Sequence, residues 1–258
     1  AFALGRQAAH DPVAVQRLLQ PGQVMAFVPS ESESLDDMLR RRVEFLTGYQ
    51  DAAYAESYRS FVSQVQAREE ALGIRHLPLT EAVAKYLFKL MAYKDEYEVA
   101  RLHSDPAFLA RINAMFEGDF RLNYHLAPPL IAKKNAKGEL QKQKFGPSML
   151  TAFKVLARLK GLRGTVWDVF GRSDERREER ALIGEYCTCV EELLRGVGDA
   201  RSEDDAAERY KLALGIARIP EQIKGFGHVK ARHLKVARQN WDAQLAQFRA
   251  QQAKSKVA

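Results

Sequence analysis

The sequence predicts a mainly α-helical protein, a multi-helix bundle of long helices with a small β-hairpin insertion. Two observations predict the helices: apolar residues recur at three-, four- and seven-residue steps through most of the chain, and capping residues or glycines bound these runs. A third observation predicts the hairpin, because apolar and polar residues alternate between Glu117 and Phe145 as they do in a half-buried strand.

The first half of the chain carries three predicted helices before the hairpin. Ser34 caps a long helix from Leu35 to about Leu72, with Gly48 as its expected kink. Pro78 opens a second long helix that ends near His103. A third helix begins at Asp105-Pro106 and ends at Gly118, bounded by a capping residue, a first-turn proline and a terminal glycine.

The second half returns to helical spacing. The expected elements are a helix from Gly146 to Gly161, a helix from Asp174 to about Arg195, a helix from about Ala206 to Ala217, a single turn from Pro220 to Lys224, and a terminal helix from His228 to about Phe248. Apolar residues at helical spacing place Leu182, Tyr186, Cys189 and Leu193 in the core, together with Leu234, Ala237, Trp241, Leu245 and Phe248.

Length and composition bound the class of protein. A chain of 258 residues with 46% hydrophobic and 28% charged residues can form one or two globular domains with a core. No apolar run approaches the roughly 20 residues of a membrane helix, and the first residues lack the order of a signal peptide. The two cysteines, Cys187 and Cys189, exclude a secreted disulfide framework. We therefore expect a soluble, cytoplasmic protein with no membrane partner.

The division into domains follows from the polar run Pro29 to Glu33. We expect residues 1–30 to be the tail of a preceding domain and a linker, residues 31–250 to be a helical domain with the hairpin near 119–145, and residues 251–258 to be a disordered tail. A helix-like pattern is already under way at Ala1, so we expect this chain to be a piece of a larger protein.

The net charge of +7 permits several classes of partner. A basic chain can bind nucleic acid, an anionic surface or an acidic protein. The basic residues are interleaved with 33 acidic ones, so solvated helix faces also explain the excess. Composition alone leaves these alternatives open.

The hairpin region carries the candidate binding surface. Phe120, Leu122, Tyr124 and Leu126 are its predicted apolar anchors, and the polar residues between them share the opposite face. The candidate surface residues are Arg121, Asn123, His125, Lys133, Lys134, Lys142 and Lys144. His125 has two interpretations: part of a site for an anion or carbonyl group, or a structural residue that pins the hairpin to a neighbouring helix.

No residue set completes a catalytic or metal-binding constellation. Cys187 and Cys189 point about 200° apart if they lie on one helix, and two cysteines cannot supply a four-cysteine cluster. The six histidines include no pair at the four-residue spacing of a zinc arm, and no glycine-rich phosphate loop is present. We predict no catalytic residue, no metal ligand and no bound cofactor in this chain.

Several blocks of sequence resemble one family of enzymes. These are LTEAVAKYLFKLMAYKDEYEVARLHSDPAFL (79–109), FEGDFRLNYHLAPPL (116–130), FGPSMLTAFKVLARLKGLRGTVWDVFG (145–171), ERALIGEY (179–186) and IPEQIKGFGHVK (219–230). Together and in this order they resemble the C-terminal region of the fused bacterial indolepyruvate ferredoxin oxidoreductases. The segment AFALGRQAAHDP (1–12) is similar to the end of the preceding domain, which is related to the gamma subunit of pyruvate ferredoxin oxidoreductase.

The resemblance implies a parent enzyme rather than an activity of this chain. Such a parent oxidatively decarboxylates aryl pyruvates with thiamine diphosphate and magnesium, transfers electrons through 4Fe-4S iron-sulfur clusters to ferredoxin, and forms an acyl-coenzyme A. The thiamine and cluster motifs lie outside this sequence, so no catalytic residue of the family is carried onto it.

The expected role is that of a non-catalytic module. Its partners would be the other domains of the parent, a second copy in a homo-oligomer, and ferredoxin, whose acidic surface a basic module would attract. The alternative is a basic helical module that binds nucleic acid through the lysines of the hairpin.

Overall fold

The computed structural model describes residues 33–127 and 141–257, together with Ala9 and Asp11. Its contacts divide the chain into two units, 1–38 and 39–258. The described part is mainly helical with a small antiparallel sheet, which confirms the predicted fold class. None of its helices combines the length and the hydropathy that a membrane span requires.

Nine α-helices and two strands make up the described part. The first five helices are α1 (Leu35–Tyr49), α2 (Ala52–Ala71), α3 (Pro78–Met91), α4 (Glu96–Ser104) and α5 (Pro106–Met115). The strands β1 (Tyr124–Leu126) and β2 (Gln143–Phe145) follow. The remaining helices are α6 (Met149–Arg158), α7 (Asp174–Gly198), α8 (Glu203–Ala217) and α9 (Gly227–Val257), with short 3-10 turns at Leu159–Leu162 and Ile219–Gln222.

Two helices that the sequence predicts as continuous are each divided by an aspartate. Asp51 has an extended backbone and accepts a hydrogen bond from the Tyr54 amide at 2.8 Å, so it ends the expected 35–72 helix and starts α2. Asp95 does the same for α4 through the Glu98 amide at 2.8 Å. The expected kink at Gly48 is therefore wrong by a few residues, because a capping carboxylate competes with the helical hydrogen bonds.

The start of α3 is capped from another helix. Leu77 precedes it in the left-handed region with φ of 47° and supplies no side-chain cap. The buried Glu69 carboxylate on α2 accepts hydrogen bonds from the Leu79 amide at 2.9 Å and the Thr80 amide at 2.7 Å. Tyr210 on α8 donates to the same carboxylate. One buried charge thus joins α2, α3 and α8.

The main core lies among α2, α3, α7 and α8, and α9 packs along α8. Eight of the nine predicted core positions of α7 and α9 are confirmed, since Leu182, Tyr186, Cys189, Leu193, Leu234, Ala237, Trp241 and Phe248 are all buried. The ninth, Leu245, is only half-buried. Tyr186 donates to the Ala217 carbonyl at 2.9 Å, and its ring meets Trp241 edge-on. Helical periodicity was sufficient to find this core.

The end of the chain corrects one prediction. The segment 251–258 was expected to be a disordered tail, but α9 continues to Val257. The side-chain amide of Gln251 donates a hydrogen bond to the Glu208 carboxylate on α8 at 2.7 Å, so the last turns of α9 still contact α8. Contact with α8 therefore extends the helix beyond its apolar stripe.

The hairpin packs on a second, smaller cluster. β1 and β2 are antiparallel, and Tyr124 faces Phe145 in the register. Tyr124 is buried with Phe153 and Ala100, from α6 and α4, and its ring meets Phe153 edge-on at 5.1 Å. Phe120 is 37% exposed and packs on Phe116 instead, so its predicted role as an anchor is wrong. The predicted turn at 135–138 lies outside the described residues.

Candidate functional site

The polar side of the hairpin is exposed as the alternation predicts. His125 and Lys144 are directly opposed in the register and therefore project from the same face. Arg121, Asn123 and Lys142 are also exposed. Lys133 and Lys134, the other two predicted surface residues, lie outside the described residues. Five of the seven candidates are therefore exposed: His125 and Lys144 lie in the two strands, and the other three lie in the residues that flank the strands.

His125 does not pin the hairpin to a helix. It is exposed and its side chain forms no hydrogen bond with another described residue, so that interpretation is wrong. The histidine that contacts the hairpin is His103 on α4, whose ring stacks on Phe153 at 5.2 Å and meets Tyr124 edge-on at 5.4 Å. Burial among these rings lowers the pKa of His103. A neutral imidazole therefore serves as a packing residue here.

A buried ion pair stabilises the helices next to the hairpin. Arg163 donates to both carboxylate oxygens of Asp95, at 2.5 and 2.9 Å, and to the Tyr49 carbonyl at 2.8 Å. Its guanidinium lies 3.8 Å from the centre of the Tyr49 ring. Burial, and then the Asp95 charge, raise the pKa of Tyr49. This arrangement fixes the ends of α1 and α4 relative to the loop after α6.

An open cleft lies between the end of α3, the start of α7 and the start of α9. Its volume is about 510 Å³, within the range of small-molecule sites. Its charged lining residues are five cations and three carboxylates: Lys89, Lys94, Arg176, Lys224, Lys230, Glu96, Glu175 and Glu179. The cleft therefore has an excess of positive charge.

Two of the three carboxylates of the cleft form ion pairs with its cations. Arg176 pairs with Glu179 at 2.6 Å and with Glu96 at 3.6 Å, and Lys230 also pairs with Glu179. Lys94 and Lys224 form no ion pair with any described residue. These two exposed lysines are the cations of the cleft that remain available to a ligand.

A Gly-Phe-Gly segment forms one rim of the cleft. Gly225 and Gly227 have φ values of 86° and 53°, which glycine adopts without steric penalty. The ring of Phe226 between them is 66% exposed, and the Lys94 ammonium lies 5.4 Å from its centre. Helical or strand periodicity does not identify this segment, although the run from Lys224 to Lys230 places two lysines around an aromatic residue.

A second exposed aromatic residue projects from the loop between α6 and α7. Trp167 is 74% exposed and Val166 is 78% exposed. The buried Asp168 beside them accepts hydrogen bonds from the Gly164 and Gly171 amides, each at 2.8 Å. The loop is therefore held in one conformation while its apolar tip faces solvent.

The described residues contain no metal-binding group. No three histidine, cysteine, aspartate or glutamate side chains come together there in a way that could hold an ion. Both cysteines are free thiols, and burial raises the pKa of each to about 11.

One comparison assigns the chain to a family. A family model with the description "Family of unknown function (DUF6537)" matches residues 35–243. The chain belongs to this family. The DUF6537 match begins with α1 and ends within α9, so it includes the hairpin, the cleft and the Trp167 loop. No curated protein and no solved structure matches the chain.

Proposed function

We propose that this chain is the non-catalytic C-terminal module of a thiamine-diphosphate-dependent indolepyruvate ferredoxin oxidoreductase, and that its hairpin docks ferredoxin. The observation that carries the proposal is the set of exposed polar residues in and beside the hairpin strands, in which His125 and Lys144 share one face: Arg121, Asn123, His125, Lys142 and Lys144. The sequence resemblance supplies the identity of the parent enzyme and of the partner.

The packing of the hairpin supports a docking role. Its apolar side is buried on α4 and α6 through Tyr124 and Phe153, so its basic side has a fixed orientation. A rigid basic surface attracts an acidic protein over a distance and increases the association rate more than it increases the affinity. The surface needs no catalytic residue for this role. The parent's thiamine diphosphate, magnesium, iron-sulfur clusters and coenzyme A would belong to other domains.

A salt titration tests the proposal. We expect the isolated chain to bind reduced ferredoxin at low ionic strength, and we expect the affinity to fall as the salt concentration rises. The reason is that the Debye screening length decreases from about 10 Å at 0.1 M to about 3 Å at 1 M salt. Isothermal titration calorimetry at several salt concentrations measures this. Absence of binding at low salt, or an affinity independent of salt, would contradict docking.

A second experiment distinguishes the nucleic-acid alternative from ferredoxin docking. Nucleic acid bound through lysines also shows a steep salt dependence. An electrophoretic shift of duplex or single-stranded DNA at moderate salt, without binding of ferredoxin, would replace the proposed partner with nucleic acid.

A further inference from the structure

The geometry points to a second function that is separate from docking: the cleft between α3, α7 and α9 binds a nucleoside polyphosphate, with the phosphates at Lys94 and Lys224 and the planar base against Phe226. The inference concerns a small ligand and does not depend on the parent enzyme or on ferredoxin. It rests on the size of the cleft, its unbalanced charge and the exposed ring at its rim.

The charge balance favours an anion. Glu179 and Glu96 are paired with Arg176 and Lys230, and these pairs lie on the wall formed by α4, α7 and α9. Glu175 is the third carboxylate of the lining. The five cations of the lining exceed its three carboxylates by two, and neither Lys94 nor Lys224 forms an ion pair with a described carboxylate. Phosphate groups would supply the missing negative charge and accept several hydrogen bonds from the ammonium groups.

Like charges are crowded at one end of the cleft. Lys89 donates to the Pro220 carbonyl at 2.8 Å and to the Glu221 carbonyl at 3.2 Å. Burial, followed by the nearby charge of Lys224, lowers the pKa of Lys89. The Glu221 carboxylate opposes this effect, and the charge of Lys230 adds to it. An anion bound among these three lysines would reduce their mutual repulsion beyond the effect of Glu221.

The backbone at the start of α9 also favours an anion in the cleft. Gly227 begins α9, a helix of 31 residues, and Gly227 and Lys230 from its first turn line the cleft. The start of a helix carries partial positive charge on amides that lack partners within the helix. This field adds to that of the lysine side chains, and it acts beside the Gly-Phe-Gly segment, which also lines the cleft.

The exposed ring of Phe226 selects a planar ligand over a simple anion. Phe226 stands between two glycines with positive φ, and the Lys94 ammonium lies 5.4 Å from the centre of its ring. An aromatic ring that is 66% exposed offers a surface on which a base can stack. A volume of about 510 Å³ is sufficient for a base together with its sugar and phosphates.

Binding of ATP and of pyrophosphate to the purified chain tests the inference. We expect both to bind without magnesium, and we expect ATP to bind more tightly. The double substitution Lys94→Gln with Lys224→Gln should weaken both by at least about ten-fold, because charge-assisted hydrogen bonds are lost. Phe226→Ala should weaken ATP several-fold and leave pyrophosphate unchanged. All three side chains are exposed, so these variants should fold, which circular dichroism verifies.

The matched control is Lys142→Gln with Lys144→Gln, which removes the same charge from the hairpin. This variant should bind ATP within about two-fold of the unmodified chain. Failure of ATP to bind at millimolar concentration would overturn the site, as would equal weakening by the two double variants. Equal affinity for ATP and pyrophosphate, with no effect of Phe226→Ala, would overturn the assignment of a planar ligand. Ferredoxin binding has no part in these measurements.

Discussion

The buried pair of Asp95 and Arg163 shows how single residues control this fold. Both side chains are at most 4% exposed, and Asp95 also caps α4. A buried ion pair need not add net stability relative to an apolar pair of the same volume, because desolvation offsets the attraction. Loss of one partner has a much larger effect, since it leaves the other charge buried and unpaired.

Substitution of Arg163 by leucine should therefore destabilise the protein strongly. We expect a loss of about 3–5 kcal/mol in the free energy of unfolding, measured by urea denaturation. Arg59→Leu is the control, because Arg59 and Glu56 form a pair in which both side chains are more than half exposed. That change should alter stability by less than about 1 kcal/mol. Equal effects of the two substitutions would contradict a structural role for the buried pair.

The two cysteines provide a prediction about pH. Burial raises the pKa of Cys187 and Cys189 to about 11 from the ordinary 9.0, so both remain thiols at pH 8. Alkylation by iodoacetamide at pH 8 should be about 100-fold slower in the native protein than in urea, because the thiolate is the reactive form. Equal rates in the two states would contradict this result.

The same shift has a consequence for stability. Between pH 9 and pH 11 the unfolded thiols lose protons while the folded ones retain them. The contribution of the thiols to stability is therefore intact below pH 9 and decreases as the pH rises through 11.

At the scale of elements, the close approach of α7 and α9 depends on one glycine. A Cβ atom at Gly196 would lie 2.8 Å from the ring of Phe248, which is fully buried on α9. The Gly196 carbonyl also accepts a hydrogen bond from Arg209 on α8 at 2.7 Å. Three helices therefore meet at a position where no side chain fits.

Replacement of Gly196 by alanine should separate these helices. We expect a destabilisation of about 1–3 kcal/mol, since the added methyl group overpacks the contact. Gly184→Ala is the matched control on the same helix, because a Cβ atom there meets nothing within 4 Å. That change should stabilise the protein by about 0.5–1 kcal/mol through the higher helix propensity of alanine. Thermal unfolding of both variants measures the difference, and a stabilising effect at Gly196 would refute the close contact.

Element prediction from the sequence succeeded where local spacing was sufficient. The apolar residues at helical spacing in α7 and α9, and the alternation of apolar and polar residues around Tyr124, are local patterns. The structure confirms both patterns. The breaks at Asp51 and Asp95 were missed because an aspartate reads equally well as a surface residue of a continuous helix. The cap of α3 by Glu69 joins positions ten and eleven residues apart, which no helical period indicates.

At the scale of the whole molecule, the hairpin surface could be predicted from the sequence, whereas the cleft could not. The hairpin surface is nearly contiguous in sequence, so its residues could be named in advance. The cleft combines residues from four separate helices with the segment at 224–227, and Arg163 contacts Asp95 across 68 positions. Such sites depend on tertiary packing, and only the Gly-Phe-Gly segment between Lys224 and Lys230 offered a local signal.

Exposed lysines occur on several elements of the molecule, and the proposed docking depends on those of the hairpin in particular. Net charge alone would attract an acidic protein to any basic face. Docking by the hairpin requires that Lys142 and Lys144 contribute more to the affinity for ferredoxin than other exposed lysines do, such as Lys211 on α8 and Lys235 on α9. Substitution of each pair of lysines therefore distinguishes docking at a specific surface from a general effect of net charge.

The affinity for reduced ferredoxin after charge reversal tests the central claim most directly. Lys142→Glu with Lys144→Glu should raise the Kd at low salt by at least about ten-fold, because two attractive contacts become repulsive. Lys211→Glu with Lys235→Glu makes the same change in net charge and should raise it by less than about three-fold. A Kd unchanged by the hairpin substitutions, or raised equally by both pairs, would contradict docking through the hairpin.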